Sequence, residues 1–214
     1  ELRQPMAAIT TLSEIVLRQI QEMPVRQPVE QDVRQIQEQS LRAGEMVARM
    51  LTWCRKSPSS HPPPDVAAAV AQAARLMRME ADTRDVSLEV RCEAENVHVK
   101  ASGTDLQQVV GNLVANAIRA AAGASGVRRV TVELRPKDGG VLLRVKDTGP
   151  GVSPDVRDHL FEAFSSDSPD GMGMGLWLVR NVVESHGGHV RLAGSSTRGS
   201  CFECWWPVCV GRQS

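Results

Sequence analysis

The stretch QQVVGNLVANAIRAA at 107–121 places two asparagines, Asn112 and Asn116, in an otherwise apolar segment with helical periodicity. Asparagine is a mediocre helix former because its side chain competes with the backbone for hydrogen bonds. Positions i and i+4 share one face of a helix, so the two amides are expected side by side. They are either core amides with hydrogen-bond partners or groups that face a ligand. An Asn carbonyl oxygen is a suitable hard ligand for Mg²⁺, and Arg119, one turn beyond Asn116, would add positive charge near bound phosphates.

A second polar motif, DTGPG at 147–151, follows a predicted strand. Taken alone, D-x-G-x-G is often only a turn, because Asp and Gly favour turns. As a site, the carboxylate of Asp147 can accept a hydrogen bond from an exocyclic amine such as that of adenine. Gly149 and Gly151 would then let the backbone approach the ring closely.

Three glycines alternate in GMGMGL at 171–176, where a further helix is predicted to begin. Their backbone amides can wrap an anion, and the dipole of the following helix favours negative charge at this end. The segment lacks the Lys and Ser/Thr of a Walker loop, and its place after an antiparallel strand pair does not fit a Rossmann unit. Any phosphates bound here would therefore be held by a different architecture.

The elements around these motifs mix helices with antiparallel strands, which predicts an α+β layer sandwich. The apolar patterns predict helices over 66–81, with Asp65 as the N-cap, and over about 104–122, and a third helix that ends at the Gly pair 187–188. Alternating patterns predict strands over 86–90, 130–134, 141–145, 190–192 and 200–206.

Residues 1–56 predict a helical hairpin, because two heptad-like apolar stripes flank a turn bracketed by Pro24 and Pro28. A hairpin of about 55 residues buries too little apolar surface to be stable alone. We therefore expect a homodimer that forms a four-helix bundle; the alternative is a monomeric hairpin packed on the second part of the chain. The Pro- and Ser-rich stretch 57–65 predicts a linker, and 66–214 a second domain.

Composition excludes several classes of protein. The 214 residues carry 25 basic and 25 acidic side chains, so the net charge is zero and we expect no nucleic-acid partner. No apolar run approaches the roughly 18 residues that span a bilayer. The odd number of cysteines, five, fits a reducing compartment, so we expect a cytoplasmic location, with a full-length parent that can be membrane-attached. Cys201 and Cys204 would point to opposite faces of a strand, which argues against a metal site.

The order of the motifs is more specific than any one of them. It resembles the N, G1, F and G2 boxes of bacterial two-component sensor histidine kinases, which belong to the GHKL ATP-binding superfamily. An H-box end of the HELxQPL type and a final strand resemble this family too, so the resemblance covers nearly the whole chain. The matching segments are ELRQPMAAI at 1–9, NLVANA at 112–117, DTGPG at 147–151, LFEAF at 160–164, GMGMGL at 171–176, ESHGGHV at 184–190 and RGSCFECWWP at 198–207.

This resemblance implies a dimerising hairpin that presents a phosphoacceptor His and a Bergerat-fold domain that binds ATP with Mg²⁺. The γ-phosphoryl group would pass to that His and then to an Asp in the receiver domain of a response regulator, under control of a sensor region upstream. Asn116 is implied as the Mg²⁺ ligand, with Asn112 beside it near the phosphates, and Asp147 as the residue that reads adenine. The other residues implied to contact the nucleotide are Arg119, Gly149, Gly151, Gly171, Gly173, Gly175 and Leu176.

In the hairpin, Glu1 matches the acidic residue that serves as general base for the imidazole, because a carboxylate beside the ring can take its proton as the other nitrogen attacks. Gln4 matches the position that orients water when such proteins dephosphorylate their response regulator; the alternative is a solvated helix residue. Phe161 and Phe164 match the F box, where we expect a mainly packing role.

The chain departs from the family pattern in two places. The phosphoacceptor would be the residue just before Glu1, so we expect an upstream extension or a truncation rather than a natural pseudokinase. The segment SSDSPD at 165–170 carries no Lys or Arg, and we expect Asp167 and Asp170 to point to water. A degenerate nucleotide-binding dimerisation scaffold without kinase turnover is the alternative function. A gyrase-like or chaperone-like ATPase is disfavoured, because Asn112 occupies the position of its catalytic Glu.

Overall fold

The structure is a computed structural model that describes residues 11, 13, 16, 33–36, 64–94, 96–163 and 173–209. The chain divides into two compact units, Glu1–Pro58 and Ser59–Ser214. In the first unit the described residues are helical. The predicted turn between Pro24 and Pro28, and both Glu1 and Gln4, lie outside the described residues, so the hairpin stays a prediction.

The second unit contains four helices and five strands within its described residues. In chain order these are α1 (Val66–Thr83), β1 (Ser87–Cys92), α2 (Gly103–Ala122), β2 (Arg129–Lys137), β3 (Gly140–Asp147), α3 (Pro154–Arg157), α4 (Gly175–Ser185), β4 (His189–Ser196) and β5 (Gly199–Pro207).

The strands form one mixed sheet in the order β1-β2-β3-β5-β4. The predicted pair β2–β3 is antiparallel, and β3–β5 and β4–β5 are antiparallel too, in line with the general expectation of antiparallel strands. The pair β1–β2 is parallel, which differs from the antiparallel expectation. The reason is that α2 lies between these strands in the chain and carries it back across one face of the sheet, as parallel neighbours require. Helices on one face of a mixed sheet confirm the predicted α+β layer architecture.

Local chemistry fixes where the elements begin and turn. The Asp65 side chain accepts a hydrogen bond from the backbone N–H of Ala67 (3.2 Å) and caps α1. Ser102 caps α2 by accepting from the N–H of Asp105 (3.0 Å). Between β2 and β3, Asp138 and Gly139 have φ of 49° and 69°, the two left-handed residues that a tight type I′ hairpin needs.

The core lies between the helices and the inner face of the sheet, and α2 is its centre. One side of α2 is buried against α1, α4 and the strands. Strand alternation brings apolar side chains of β2 and β3 to the same layer. The buried apolar residues that these three elements bring to this layer are Leu106, Val109, Val110, Leu113, Val114, Ala117, Ile118, Ala121, Val130, Val132, Leu134, Val141, Leu143 and Val145. This burial fixes the rotation of α2 and leaves Asn112 and Asn116 on a half-buried face, beside the start of α4.

Candidate functional site

The two asparagines lie on one half-buried face of α2, as their spacing predicts. The Asn112 Nδ2 donates to the carbonyl of Gln108 (2.8 Å). The Arg119 guanidinium donates to the Asn116 Oδ1 and, more weakly, to the carbonyl of Ala115 (3.4 Å). The amide oxygen of Asn116 therefore already faces a cationic group.

The start of α4 lies beside both amides. A Cβ placed on Gly175 would lie 3.5 Å from the Asn112 Oδ1 and 3.6 Å from the Asn116 Nδ2. Leu176 follows within the first turn and is half-buried. Gly173, two residues earlier, has φ of 63°, a conformation that favours glycine. Gly171 lies outside the described residues.

Asp147, the last residue of β3, is a buried carboxylate that is only 7% exposed. Its Oδ1 accepts from the backbone N–H groups of Gly149 (2.8 Å) and Ser200 (3.2 Å). Burial raises the pKa of the Asp147 carboxyl, and these two hydrogen bonds only partly oppose that rise. Within the part of the chain that the structure describes, both bonds use Oδ1, so Oδ2 is the oxygen available to a ligand.

The glycine loop after Asp147 packs between α2 and the β4–β5 hairpin. A Cβ on Gly149 would approach the Ala120 carbonyl oxygen to 2.6 Å, so this glycine permits contact with α2. Gly151 has φ of 85°, and a Cβ there would overlap the carbonyl of Ser196 in the β4–β5 hairpin. Any larger side chain at either position would push the loop away from its neighbours.

These contacts bring the two motifs to the same region of α2. Ala120, which Gly149 touches, is one turn after Asn116, about 6 Å along the helix axis. These features thus form a row along one side of α2. The row begins with the asparagine pair, which lies beside the start of α4, and continues to the Asp147 loop. A hollow of about 410 Å³ adjoins Gly149 at the end of this row. It is lined by Gly123, Ala124, Ser125, Gly126, Val127, Thr148, Gly149, Pro150, Thr197 and Arg198.

The β4–β5 hairpin contributes residues that sequence reasoning did not assign to the site. Ser200 donates its N–H to Asp147, and a Cβ on Gly199 would overlap the Asp147 carbonyl. The Ser195 Oγ accepts from the N–H of Val152 (2.7 Å) and holds the far end of the glycine loop. The motif RGSCF that begins at 198 could have indicated the contact of Ser200 with Asp147, because its Gly-Ser pair starts the strand next to β3.

Other predicted features are placed as follows. Phe161 contacts Phe202 edge to face, with ring centroids 6.4 Å apart, which supports a packing role; Phe164 lies outside the described residues. Cys201 and Cys204 fall on opposite faces of β5, and Cys204 is fully buried. Among the described residues, none of the helices combines the length and apolar character needed to cross a membrane.

Residues 101–209 match the family described as histidine kinase-, DNA gyrase B- and HSP90-like ATPases. The chain belongs to this ATPase family. The match spans α2 to β5 and thus includes the asparagine pair, the Asp147 loop and the hairpin that holds it.

The chain is similar to a sensor histidine kinase and to other sensor proteins. It is 32% identical to the sensor histidine kinase ZraS of Escherichia coli K12 over 149 residues, 70% of this chain and 31% of that protein. It is 38% identical to the sensor protein DivL of Caulobacter vibrioides over 128 residues, 60% of this chain and 16% of that protein. The chain spans about a third or less of the length of these relatives.

Solved structures agree with this placement. A mycobacterial sensor histidine kinase, MprB, matches 69% of this chain and 98% of its own with a TM-score of 0.59 and 28% identity. Full-length ShkA in complex with AMPPNP matches 98% of this chain and 44% of its own with a TM-score of 0.70 and 25% identity. The predicted resemblance to the catalytic core of bacterial sensor histidine kinases, with its GHKL fold, is confirmed. The roles of the individual site residues are not tested by these comparisons.

Proposed function

We propose that this chain is the core of an ATP-dependent protein-histidine kinase. Residues 66–214 bind ATP with Mg²⁺, and the γ-phosphoryl group passes to a His just upstream of Glu1 and then to an Asp of a response regulator. Catalysis of this kind depends on positioning and charge neutralisation rather than on covalent chemistry by the nucleotide domain.

The observation that carries the proposal is the convergence of three separate motifs on one side of α2. Gly175 lies close enough to Asn112 and Asn116 that an added Cβ would contact both side chains, and Gly149 packs on Ala120 one turn further along. Asp147 is held at the edge of this row by two backbone N–H groups. Its Oδ2 is suited to accept from the exocyclic amine of adenine, while Gly149 and Gly151 allow a flat ring to approach the backbone.

The residues present fit Mg²⁺ and phosphates. The Asn116 Oδ1 is a hard neutral oxygen that already interacts with the cationic guanidinium of Arg119. When bound, Mg²⁺ would neutralise charge on the phosphate oxygens. We assign Asn116 as the metal ligand and Asn112 as its companion, and we assign Arg119, which is exposed, to contact with phosphates. The N–H groups of Gly175 and Leu176 in the first turn of α4, with those of Gly171 and Gly173 before it in the chain, would hold the phosphates.

For the first unit we retain the proposals of a helical hairpin that dimerises, with Glu1 as general base and Gln4 as the residue that orients water. Two apolar side chains of the described helical residues support a partner helix. Val16 is 38% exposed and Ile36 is 52% exposed within a single chain, and both belong to the heptad-like stripes. A receiver domain would take the phosphoryl group from the hairpin.

Asn116→Ala tests the metal assignment. The parent chain should bind an ATP analogue more tightly with Mg²⁺ than with EDTA in calorimetry, and the variant should lose this difference. An equal response to Mg²⁺ in both proteins would remove the role of Asn116.

Phosphotransfer is tested with labelled ATP and a chain extended upstream of Glu1. The expected product is a phosphoprotein that is labile in acid and stable in base, as a phosphohistidine is. Tight nucleotide binding without such a product would favour the scaffold alternative.

A further inference from the structure

Helix α4 is attached to α2 at both of its ends. At its start, Gly175 lies against Asn112 and Asn116 near the middle of α2. At its other end, the C-cap residue His186 places its Nε2 3.0 Å from the carboxylate of Asp105 in the first turn of α2. The two helices therefore run antiparallel, and only one of the two attachments lies at the proposed nucleotide site.

The two attachments are the same distance apart on α4 as on α2. Gly175 and His186 are eleven positions apart, and so are Asp105 and Asn116. Both spans measure about 16 Å at the rise of an α-helix. A shift of α4 by one residue would move Gly175 about 1.5 Å along α2. It would therefore break the contact of His186 with Asp105 and displace Gly175 from the amides at the same time.

Between the two attachments, the buried residues of α4 are apolar. The buried residues of α4 are Leu178, Val179, Val182 and Val183. Burial of apolar surface is non-directional, so it holds the helices together but specifies their relative axial position only weakly. A hydrogen bond to a charged group has a defined length and direction and can supply that missing restraint.

The Asp105–His186 contact is well placed to be this restraint. A carboxylate oxygen only accepts, so the proton of this hydrogen bond is on the His186 Nε2. The carboxylate lies at the N-terminus of α2 and the imidazole at the C-terminus of α4, where the helix dipoles favour negative and positive charge respectively. The hydrogen bond from His186 lowers the pKa of the Asp105 carboxyl, burial opposes this change, and the Ser102 hydroxyl adds to it. The carboxylate is therefore ionised at neutral pH.

We propose that Asp105 and His186 form a positioning pair, which fixes the axial position of α4 on α2 and thereby holds Gly175 against Asn112 and Asn116. Asp105 is seven residues, about 10 Å, from Asn112, so the pair acts on the nucleotide site through the helix. The inference deepens the proposed function and rests on it for its effect on nucleotide affinity.

Calorimetry with a non-hydrolysable ATP analogue and Mg²⁺ tests the pair. His186→Ala should weaken binding about five- to tenfold. His186→Gln, which keeps an N–H donor near the position of Nε2, should bind within about twofold of the parent. Asp105→Ala should match His186→Ala, and the double variant should be no weaker than either single variant, because the two residues act as one unit.

Gln72→Ala is the matched control. It breaks a side-chain hydrogen bond between α1 and α2, Gln107 to Gln72 at 2.9 Å, that does not involve α4. This variant should bind the analogue like the parent. Parent-like affinity of a folded His186→Ala variant, or effects of the two single variants that add, would overturn the proposal.

Hydrogen exchange tests whether the pair positions α4 and does not depend on nucleotide binding. In the ligand-free chain the amides of 178–182, which donate within α4, should exchange several-fold faster in His186→Ala than in the parent, and His186→Gln should restore slow exchange. Equal rates in all three proteins would refute the positioning role. If the parent itself bound no nucleotide, the proposed function would fail, and this exchange result would still decide whether the pair positions α4.

Discussion

Asp147 at the end of β3 and Glu203 in β5 are two carboxylates that the fold buries to a similar extent, 7% and 3% exposed, on opposite faces of one sheet. Asp147 faces the helix-covered side, and its hydrogen bonds come from two backbone N–H groups. Glu203 lies on the other side between two arginines, Arg144 (2.5 and 2.9 Å) and Arg191 (2.6 and 3.0 Å).

The two surroundings move the two pKa values in opposite directions. Burial raises the pKa of the Asp147 carboxyl, and two hydrogen bonds from neutral groups do not offset it. Burial also acts to raise the pKa of Glu203, but the hydrogen bonds from Arg144 and Arg191 outweigh it, so that the pKa falls. A buried carboxylate whose charge is left without a cationic partner is costly to keep, and such groups are typical of functional sites.

The arginines around Glu203 belong to a row that crosses all five strands. The register pairs Arg91, Glu133, Arg144, Glu203 and Arg191 in that order, so the charge alternates from strand to strand. Cross-strand pairs of opposite charge stabilise a sheet and its register. Glu203 thus belongs to a charged row that supports the register of the sheet, whereas we propose that Asp147 contacts a ligand.

The largest expected effect comes from removing the Asp147 carboxylate, which has no cationic partner among the described residues. Asp147→Ala should weaken ATP binding by about 1.5–3 kcal/mol, or about 10–150-fold, because one hydrogen bond to a charged group is lost. Calorimetry measures the change, and Glu203→Gln serves as the control, since it should leave the affinity within about twofold of the parent. Unchanged affinity in Asp147→Ala would refute the assigned base pocket.

The next effect concerns stability. Glu203→Gln should lower the free energy of unfolding by about 2 kcal/mol, because Arg144 and Arg191 lose a buried charged partner. Urea unfolding measures this loss. Glu133→Gln is the control: its carboxylate is 23% exposed and its ion pairs are longer, 3.5 and 3.6 Å, so we expect a loss below about 1 kcal/mol. Equal losses in the two variants would mean that burial of Glu203 does not matter.

The features of the fold and of the site that could be predicted from the sequence are those that local chemistry encodes. The Asn112–Asn116 pair follows from helical spacing, the β2–β3 hairpin from the Asp138–Gly139 turn, and the place of Asp147 from the strand that it ends. The parallel pairing of β1 was missed, because strand direction depends on how α2 packs and not on the strand's own pattern. The Ser200–Asp147 and His186–Asp105 contacts join residues 53 and 81 positions apart, and no local periodicity carries such information.

A smaller effect separates function from stability at a single position. Asp147→Asn should raise the free energy of unfolding by about 1 kcal/mol at neutral pH, because a neutral amide is less costly to bury than a carboxylate and its oxygen can still accept from Gly149 and Ser200. The same variant should bind ATP more weakly, since its NH₂ group would meet the amine of adenine. Paired urea and calorimetric measurements test both signs; a loss of stability would show that the charge itself holds the loop.

The smallest effect is the pH dependence of these stability differences. A carboxyl whose folded pKa is raised, as at Asp147, destabilises the fold above that pKa, and the penalty disappears as the pH falls toward the ordinary Asp value of about 3.9. A carboxyl whose folded pKa is lowered, as at Glu203, stabilises the fold above the ordinary Glu value of about 4.3, and this contribution is lost as the pH falls through the folded pKa.

As the pH is lowered from 7, the stability differences between the parent and the two variants should therefore change one after the other. The stability advantage of Asp147→Asn over the parent should shrink first, while the deficit of Glu203→Gln should persist until the pH is below about 4. Urea unfolding of the parent and both variants between pH 7 and pH 4 measures the two differences. A decrease of both stability differences over the same pH range would mean that the two carboxylates share one electrostatic environment. The contrast between a carboxylate held by backbone amides and one held by arginines would then be wrong.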